Sequence, residues 1–130
     1  MTNIVRTFDH GVSWEKEFGV TQAYAVNGTI HISGQFSHDM QGEFVGPDDI
    51  QAQTRQTLSN LDRVLTGYGV SRSNIAYMEI YLTNPQRDFG ECIAQFKEYL
   101  GTHRVAGTCL GVPSLVFPNQ LIEISAVAYT

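Results

Sequence analysis

Residues 75–83 (IAYMEIYLT) read as a β-strand that is apolar on both sides, and this stretch limits the possible folds more than any other. With side chains alternating across the strand, Ala76, Met78, Ile80 and Leu82 point one way while Ile75, Tyr77, Glu79 and Tyr81 point the other. The closing strand expected over 120–129 has the same character, with Ile122, Ile124, Ala126 and Ala128 on one side and Leu121, Glu123, Ser125 and Val127 on the other. A sheet built from such strands must be covered twice. One cover comes from within the chain; the other side, left bare, is an exposed apolar patch.

The internal cover is a pair of helices. Pro47-Asp48-Asp49 opens the first, with acidic residues at its positive end, and Ile50, Thr54, Leu58, Leu61, Leu65 and Tyr68 form its apolar stripe before Gly67 and Gly69 stop it. Asn84-Pro85 ends the two-sided strand, and a second helix over 86–100 carries Phe89, Cys92, Ile93, Phe96, Tyr99 and Leu100 on one stripe. Ahead of them, 22–27 and 29–33 read as a hairpin turning at Asn27-Gly28, followed by turn-like sequence from Gly34 to Gly46. A further strand is expected over 106–112. The order ββαβαββ gives an α+β sandwich in one domain, 1–130, with both helices on one face of the sheet. A chain of this length buries roughly two-thirds of its unfolded surface, enough for a core without metal or disulfide.

Copies of the chain packing sheet against sheet are the simplest cover for the second face, and clefts between subunits then become ligand sites. The charged fraction, 16%, agrees: it falls below the roughly 25% of ordinary soluble domains. Net charge is −5 with no run of Lys or Arg, so the electrostatic footprint of a nucleic-acid binder is missing. Cys92 and Cys109 form no CxxC pair and have no histidine at zinc spacing, so free thiols, no metal and no cofactor are expected. The start lacks the basic and apolar regions of a signal peptide and no apolar run is long enough to cross a bilayer, which makes the cytoplasm the expected location and a membrane partner unexpected.

Ser33-Gly34-Gln35, IQAQTRQTLSNL over 50–61, Gly69 followed by 75–83, Asp88-Phe89 and LIEISAVA over 121–128 occur in order and with compatible spacing. Together they resemble the RidA family, also called YjgF and often labelled L-PSP endoribonuclease, over roughly residues 12–129. The resemblance implies a chorismate-mutase-like fold, a homotrimer whose sheets form a central barrel, and three sites at subunit interfaces. It also implies hydrolysis of reactive enamines and imines to a carbonyl compound and ammonia.

Residue by residue, the resemblance assigns Glu123 to the water that hydrolyses the imine and Ser33-Gly34 to the turn lining the cleft. Cys109, after Thr108, matches a cysteine whose backbone amide contacts the substrate carboxylate. Three positions depart from the family. Gly107 stands where an arginine clamps that carboxylate, Val20 where a cleft tyrosine is found, and Ile93 where the second helix carries an asparagine. A lost bidentate guanidinium removes roughly 1.5–3 kcal/mol of charged hydrogen bonding. Arg104, an odd number of positions away, points to the opposite side of an extended strand. The cleft is therefore expected to be more apolar and to take a different small molecule. The alternatives are a trimer that binds a small molecule without catalysis, and the endoribonuclease of the family label, which the acidic charge disfavours. The expected assembly is checked by light scattering after size exclusion, which should give three times the 14.5 kDa chain mass at micromolar concentration, whereas a monomer contradicts it.

Overall fold

The computed structural model describes residues 5–130, so the first four residues of the expected 1–130 domain lie outside it. Asn27 and Gly28 have positive φ, 53° and 80°, the type I′ turn whose twist suits flanking strands. The turn joins β2, at Ala23–Val26, to β3, at Thr29–Gln35; ahead of them lie β1, at Val5–Phe8, and a short helix α1, at Trp14–Phe18. The remaining elements are α2 at Ile50–Gly67, β4 at Ile75–Leu82, α3 at Pro85–Leu100, β5 at Ala106–Gly111 and β6 at Ile122–Tyr129. From β2 onward the order is the expected ββαβαββ. The sequence reading did not include β1 and α1: β1 is a short edge strand with no buried residue, so it carries no apolar alternation to detect.

The sheet runs β1-β2-β3-β6-β4-β5, and all its pairs are antiparallel except β4 with β5, whose crossover is α3. Asp49 caps α2 by accepting from the Ala52 amide at 3.0 Å, and Leu58, Leu61, Leu65 and Tyr68 bury its stripe as the spacing requires. Gln53 is fully buried too. Its amide donates to the Gly46 and Asn119 carbonyls and its oxygen accepts from the Leu121 amide, fastening the loop that enters β6. Both helices pack on the face bearing Ile30, Ile32, Met78, Ile80, Leu82, Ile122 and Ile124.

Several details differ from the sequence expectation. Ile75 pairs with Ala128 but Tyr77 pairs with Val127, so Ala76 is an extra residue in a β-bulge. The bulge reverses the alternation: Ile75 enters the core at 1% exposure, and Ala76 is exposed. Leu121 is also buried, because it precedes β6 and its amide is held by Gln53. On α3 the buried stripe runs through Asp88, Cys92 and Tyr99, which turns Phe89 outward. Two apolar stripes lie side by side on this helix, and spacing alone did not choose between them.

The second face of the sheet is open in the single chain. Tyr24, His31, Val127 and Tyr77 lie in one row across it, and Glu123 and Tyr81 in another. The Tyr77 and Tyr81 hydroxyls both donate to the Glu79 carboxylate, and Tyr77 also meets Thr108 at 3.2 Å. Every residue of β5 is exposed. No helix among the described residues is long and apolar enough to cross a membrane.

The bulge makes a prediction that plain alternation would reverse. Ile75→Ala should cost about 2–5 kcal/mol in urea unfolding, as a core truncation does, while Ala76→Ser should stay within about 0.5 kcal/mol, as at an exposed site. Equal effects would contradict the register.

Candidate functional site

Ser33 and Gly34 do not form a turn at a strand exit, as the sequence reading had it. Ile32 pairs with Ala126 and Gln35 with Ile124, so three steps on β3 match two on β6 and the Ser-Gly pair is a second β-bulge inside the strand. The extra residue puts Gln35 on the core side at 1% exposure, which is tolerable because its whole amide is used. Its Nε2 donates to the Ser33 carbonyl at 3.0 Å and to Gln22 Oε1 at 2.9 Å, and its Oε1 accepts from His10 Nε2 at 2.9 Å. The Ser33 amide donates to the Gln22 carbonyl and its hydroxyl to the Thr21 carbonyl, at 2.9 and 2.8 Å. The bulge is therefore held from both ends, and the Ser33 proton is committed.

Behind it, the Glu15 carboxylate accepts from the amides of His10, Gly11 and Val12 and from Gln22 Nε2, at 2.8–3.0 Å. His10 and His38 stack edge to face with ring centroids 5.4 Å apart. Burial is the leading cause holding both imidazoles below the ordinary histidine value, so both favour the neutral form. Sequence reasoning missed this network, since His10, Glu15, Gln22 and Gln35 share no spacing and meet only through tertiary structure.

Glu123 lies on β6 opposite Tyr81, on the open face. Its carboxylate rests on Gly34: a Cβ built there would come within 2.8 Å of Glu123 Cδ and nearer still to Oε2. Glycine is needed at this point for space. Burial pushes the Glu123 pKa above the usual carboxylate value, a hydrogen bond from Gln120 pulls it partly back, and no cation contributes. Val20 is exposed beside Thr21, the residue that holds Ser33. The chain thus gathers Val20, Ser33, Gly34 and Glu123.

The other expected site residues lie elsewhere. Gly107 and Cys109 pair with Met78 and Ile80, which places them on the helix side of the sheet and on the far strand β5. Thr108 is on the open side next to Glu79, and Ile93 is half-buried on α3. A Cβ at Gly107 would stand 2.6 Å from the Met78 carbonyl oxygen, so β5 lies too close to β4 here for any side chain without a shift. Arg104 is exposed in the loop before β5. Cys92 is buried and its thiol is pushed up to about 12, chiefly by burial, which leaves it an inert core residue. Among the described residues no group of three or more His, Cys, Asp or Glu side chains is placed to hold a metal ion. A groove of about 750 Å³ between α2 and α3 touches none of the candidate residues.

The family model described as Endoribonuclease L-PSP matches residues 16–130. A RutC family protein of Pyrococcus horikoshii is 31% identical over 109 residues, which cover 84% of this chain and 85% of the relative. The 3-aminoacrylate deaminase RutC of Acinetobacter baylyi is 31% identical over 100 residues, 77% of this chain and 78% of its own. A solved structure of a YjgF/YER057c/UK114 family member from Mycobacterium tuberculosis has a TM-score of 0.86 at 24% identity, covering 98% of this chain and all of that one, a likeness of fold.

The contact between Gly34 and Glu123 is testable by a double-mutant cycle. Gly34→Ala should destabilise by about 1–3 kcal/mol through overpacking, and Glu123→Ala in the same chain should recover at least about 0.5 kcal/mol of it. Additive losses would show that the two groups do not meet.

Proposed function

The chain belongs to the Endoribonuclease L-PSP family, also called RidA or YjgF, and we propose that it hydrolyses a reactive imine or enamine to a carbonyl compound and ammonia in an altered, more apolar cleft. The observation that carries this reading is the Glu123 carboxylate, partly desolvated and resting on the Gly34 bulge with no ion-pair partner among the described residues of its own chain. A raised pKa makes it a stronger base for water at neutral pH. Glu123 takes a proton from water as the oxygen adds to the C=N carbon and returns it to the nitrogen, giving a neutral carbinolamine. The hydroxyl proton of the carbinolamine then passes through Glu123 to the nitrogen as the C–N bond breaks, so ammonia leaves and the carbonyl forms. The balance is one imine and one water in, one carbonyl compound and one ammonia out. The name of the Acinetobacter relative, a deaminase, supports the reaction class.

In this reading the protein works as a homotrimer with small molecules bound between subunits. Support comes from the separation of the candidate residues. Glu123 with the bulge, and Gly107 with Cys109, lie on opposite sides of one sheet, so a single site using both sets needs two copies of the chain. A non-catalytic ligand-binding trimer is the second reading, favoured by the commitment of the Ser33 hydroxyl to Thr21 and by the absence of a guanidinium at Gly107. Endoribonuclease chemistry fits less well: His10 and His38 are buried in the network behind the bulge, and the chain is acidic.

Glu123→Gln should cut the release of carbonyl product from freshly generated imines by about 10²–10⁴-fold while the assembly persists. The acid limb of the wild-type pH–rate profile should lie above the ordinary carboxylate range. Stability should move the other way. A carboxyl raised by folding contributes stability that is full below its unfolded pKa and is lost as pH rises through the raised value, so at pH 7 the glutamine variant should melt higher. Undiminished turnover in Glu123→Gln would refute the site; no turnover of any imine together with a tightly held cleft ligand would favour the binding reading.

A further inference from the structure

Aromatic side chains from four separate segments meet where β3 ends, packed on the buried His38 ring. Trp14 of α1 lies 5.6 Å from Phe36, Phe36 lies 5.3 Å from Phe117, and Phe117 stacks on Phe44 at 5.7 Å, all within the range of favourable ring pairs. Phe36 follows Gly34 by two residues, and Phe117 stands in the loop that leads to Glu123. Gln120 joins the loop to the start of β6. It is 2% exposed, its oxygen accepts from the Phe117 amide at 3.2 Å and its nitrogen donates to the Ile122 carbonyl at 3.3 Å, one residue before Glu123.

The strip is partly open to solvent. Phe117 is 36% exposed, and Phe18, which stacks on Trp14, is 71% exposed, with Val20 at 46% two residues on. Large apolar groups left in solvent cost free energy unless something covers them. Among the described residues of the same chain Glu123 has no ion-pair partner, and the position where the family holds an arginine lacks room for a side chain. An anionic substrate brought beside Glu123 would meet like charge at low dielectric and gain nothing from the rings. A neutral one with a flat apolar body would cover them.

We infer that this strip is the side-chain subsite of the Glu123 cleft and that it selects an uncharged imine or enamine bearing a planar apolar group. The inference rests on the imine-hydrolase reading of the same cleft. The product of such a reaction is a neutral aryl or similarly flat ketone or aldehyde, and ammonia.

Three carbonyl compounds separate the contributions: acetophenone has the ring without a carboxylate, phenylglyoxylate has both, and pyruvate has the carboxylate alone. The chain contains one tryptophan, so the single indole N–H resonance reports on the strip. Acetophenone should shift that resonance and bind at least about tenfold more tightly than the other two, a ratio ordinary for apolar pockets. Phe117→Ala should remove about tenfold of the acetophenone affinity, and Phe117→Leu, which keeps apolar bulk and guards against loss of the loop, should remove less. Pyruvate or phenylglyoxylate binding as tightly as acetophenone would overturn the inference. So would acetophenone binding that ignores Phe117, or a Phe117→Ala variant that binds none of the three and changes oligomeric state, which would make the strip a subunit interface. The imines of acetophenone and pyruvate separate the two readings: acetophenone binding through Phe117 without turnover of its imine sinks the hydrolase and keeps the subsite, whereas turnover of the pyruvate imine indifferent to Phe117 keeps the hydrolase and sinks the subsite.

Discussion

Placing a carboxylate flat against a neighbouring strand requires that strand to present no side chain at the point of contact. Gly34 supplies the opening, and the bulge at Ser33-Gly34 turns it toward Glu123. Bulges re-aim side chains at the cost of a locally broken ladder. Here the cost is offset by hydrogen bonds from Ser33 to the Gln22 and Thr21 carbonyls and from the Gln35 amide to the Ser33 carbonyl, which hold the irregular backbone in place. The raised pKa of Glu123 depends on that clamp, because a carboxylate that moved into solvent would regain its ordinary acidity.

The clamp explains why so many polar groups are buried in one corner of a domain whose main core is aliphatic. Glu15, Gln22, Gln35 and His10 form a chain of hydrogen bonds from α1 to the bulge, and Glu15 alone satisfies three backbone amides in the turn that precedes its helix. Buried networks of this kind stabilise when every member is paired and fix one geometry. The imidazoles are the exception, since His10 Nδ1 and His38 Nε2 are buried without a hydrogen-bond partner. A neutral ring tolerates this better than a charged one, in keeping with the lowered pKa of both.

The two faces of the sheet follow different physical rules. The helix side is an ordinary aliphatic core, where burial of Ile, Leu and Val at about 1.5–3 kcal/mol per side chain makes alternate positions nearly obligatory. The open side mixes tyrosines with carboxylates, and its hydroxyls pair with Glu79 rather than with solvent alone. Such a surface has both the apolar area and the polar partners that subunit contacts use.

The element order from β2 to β6, the two-residue hairpin turn at Asn27-Gly28 and the opening of α2 around Pro47-Asp48-Asp49 were legible in the amino-acid sequence. These rest on local propensity, capping and alternation, which a linear chain records residue by residue. The family, and with it Glu123, Ser33 and Gly34 as candidates, came through a resemblance of colinear segments. The pairing register lay beyond the reach of the sequence, because one bulged residue at Ala76 or at Ser33-Gly34 inverts the facing of the strand on one side of it relative to the other without leaving a compositional mark. The choice between adjacent stripes on α3, the burial of Leu121 and the meeting of His10 with Gln35 likewise came only with the tertiary structure. Each depends on which surfaces become neighbours across long stretches of chain, and that is decided by packing and hydrogen-bond satisfaction in three dimensions.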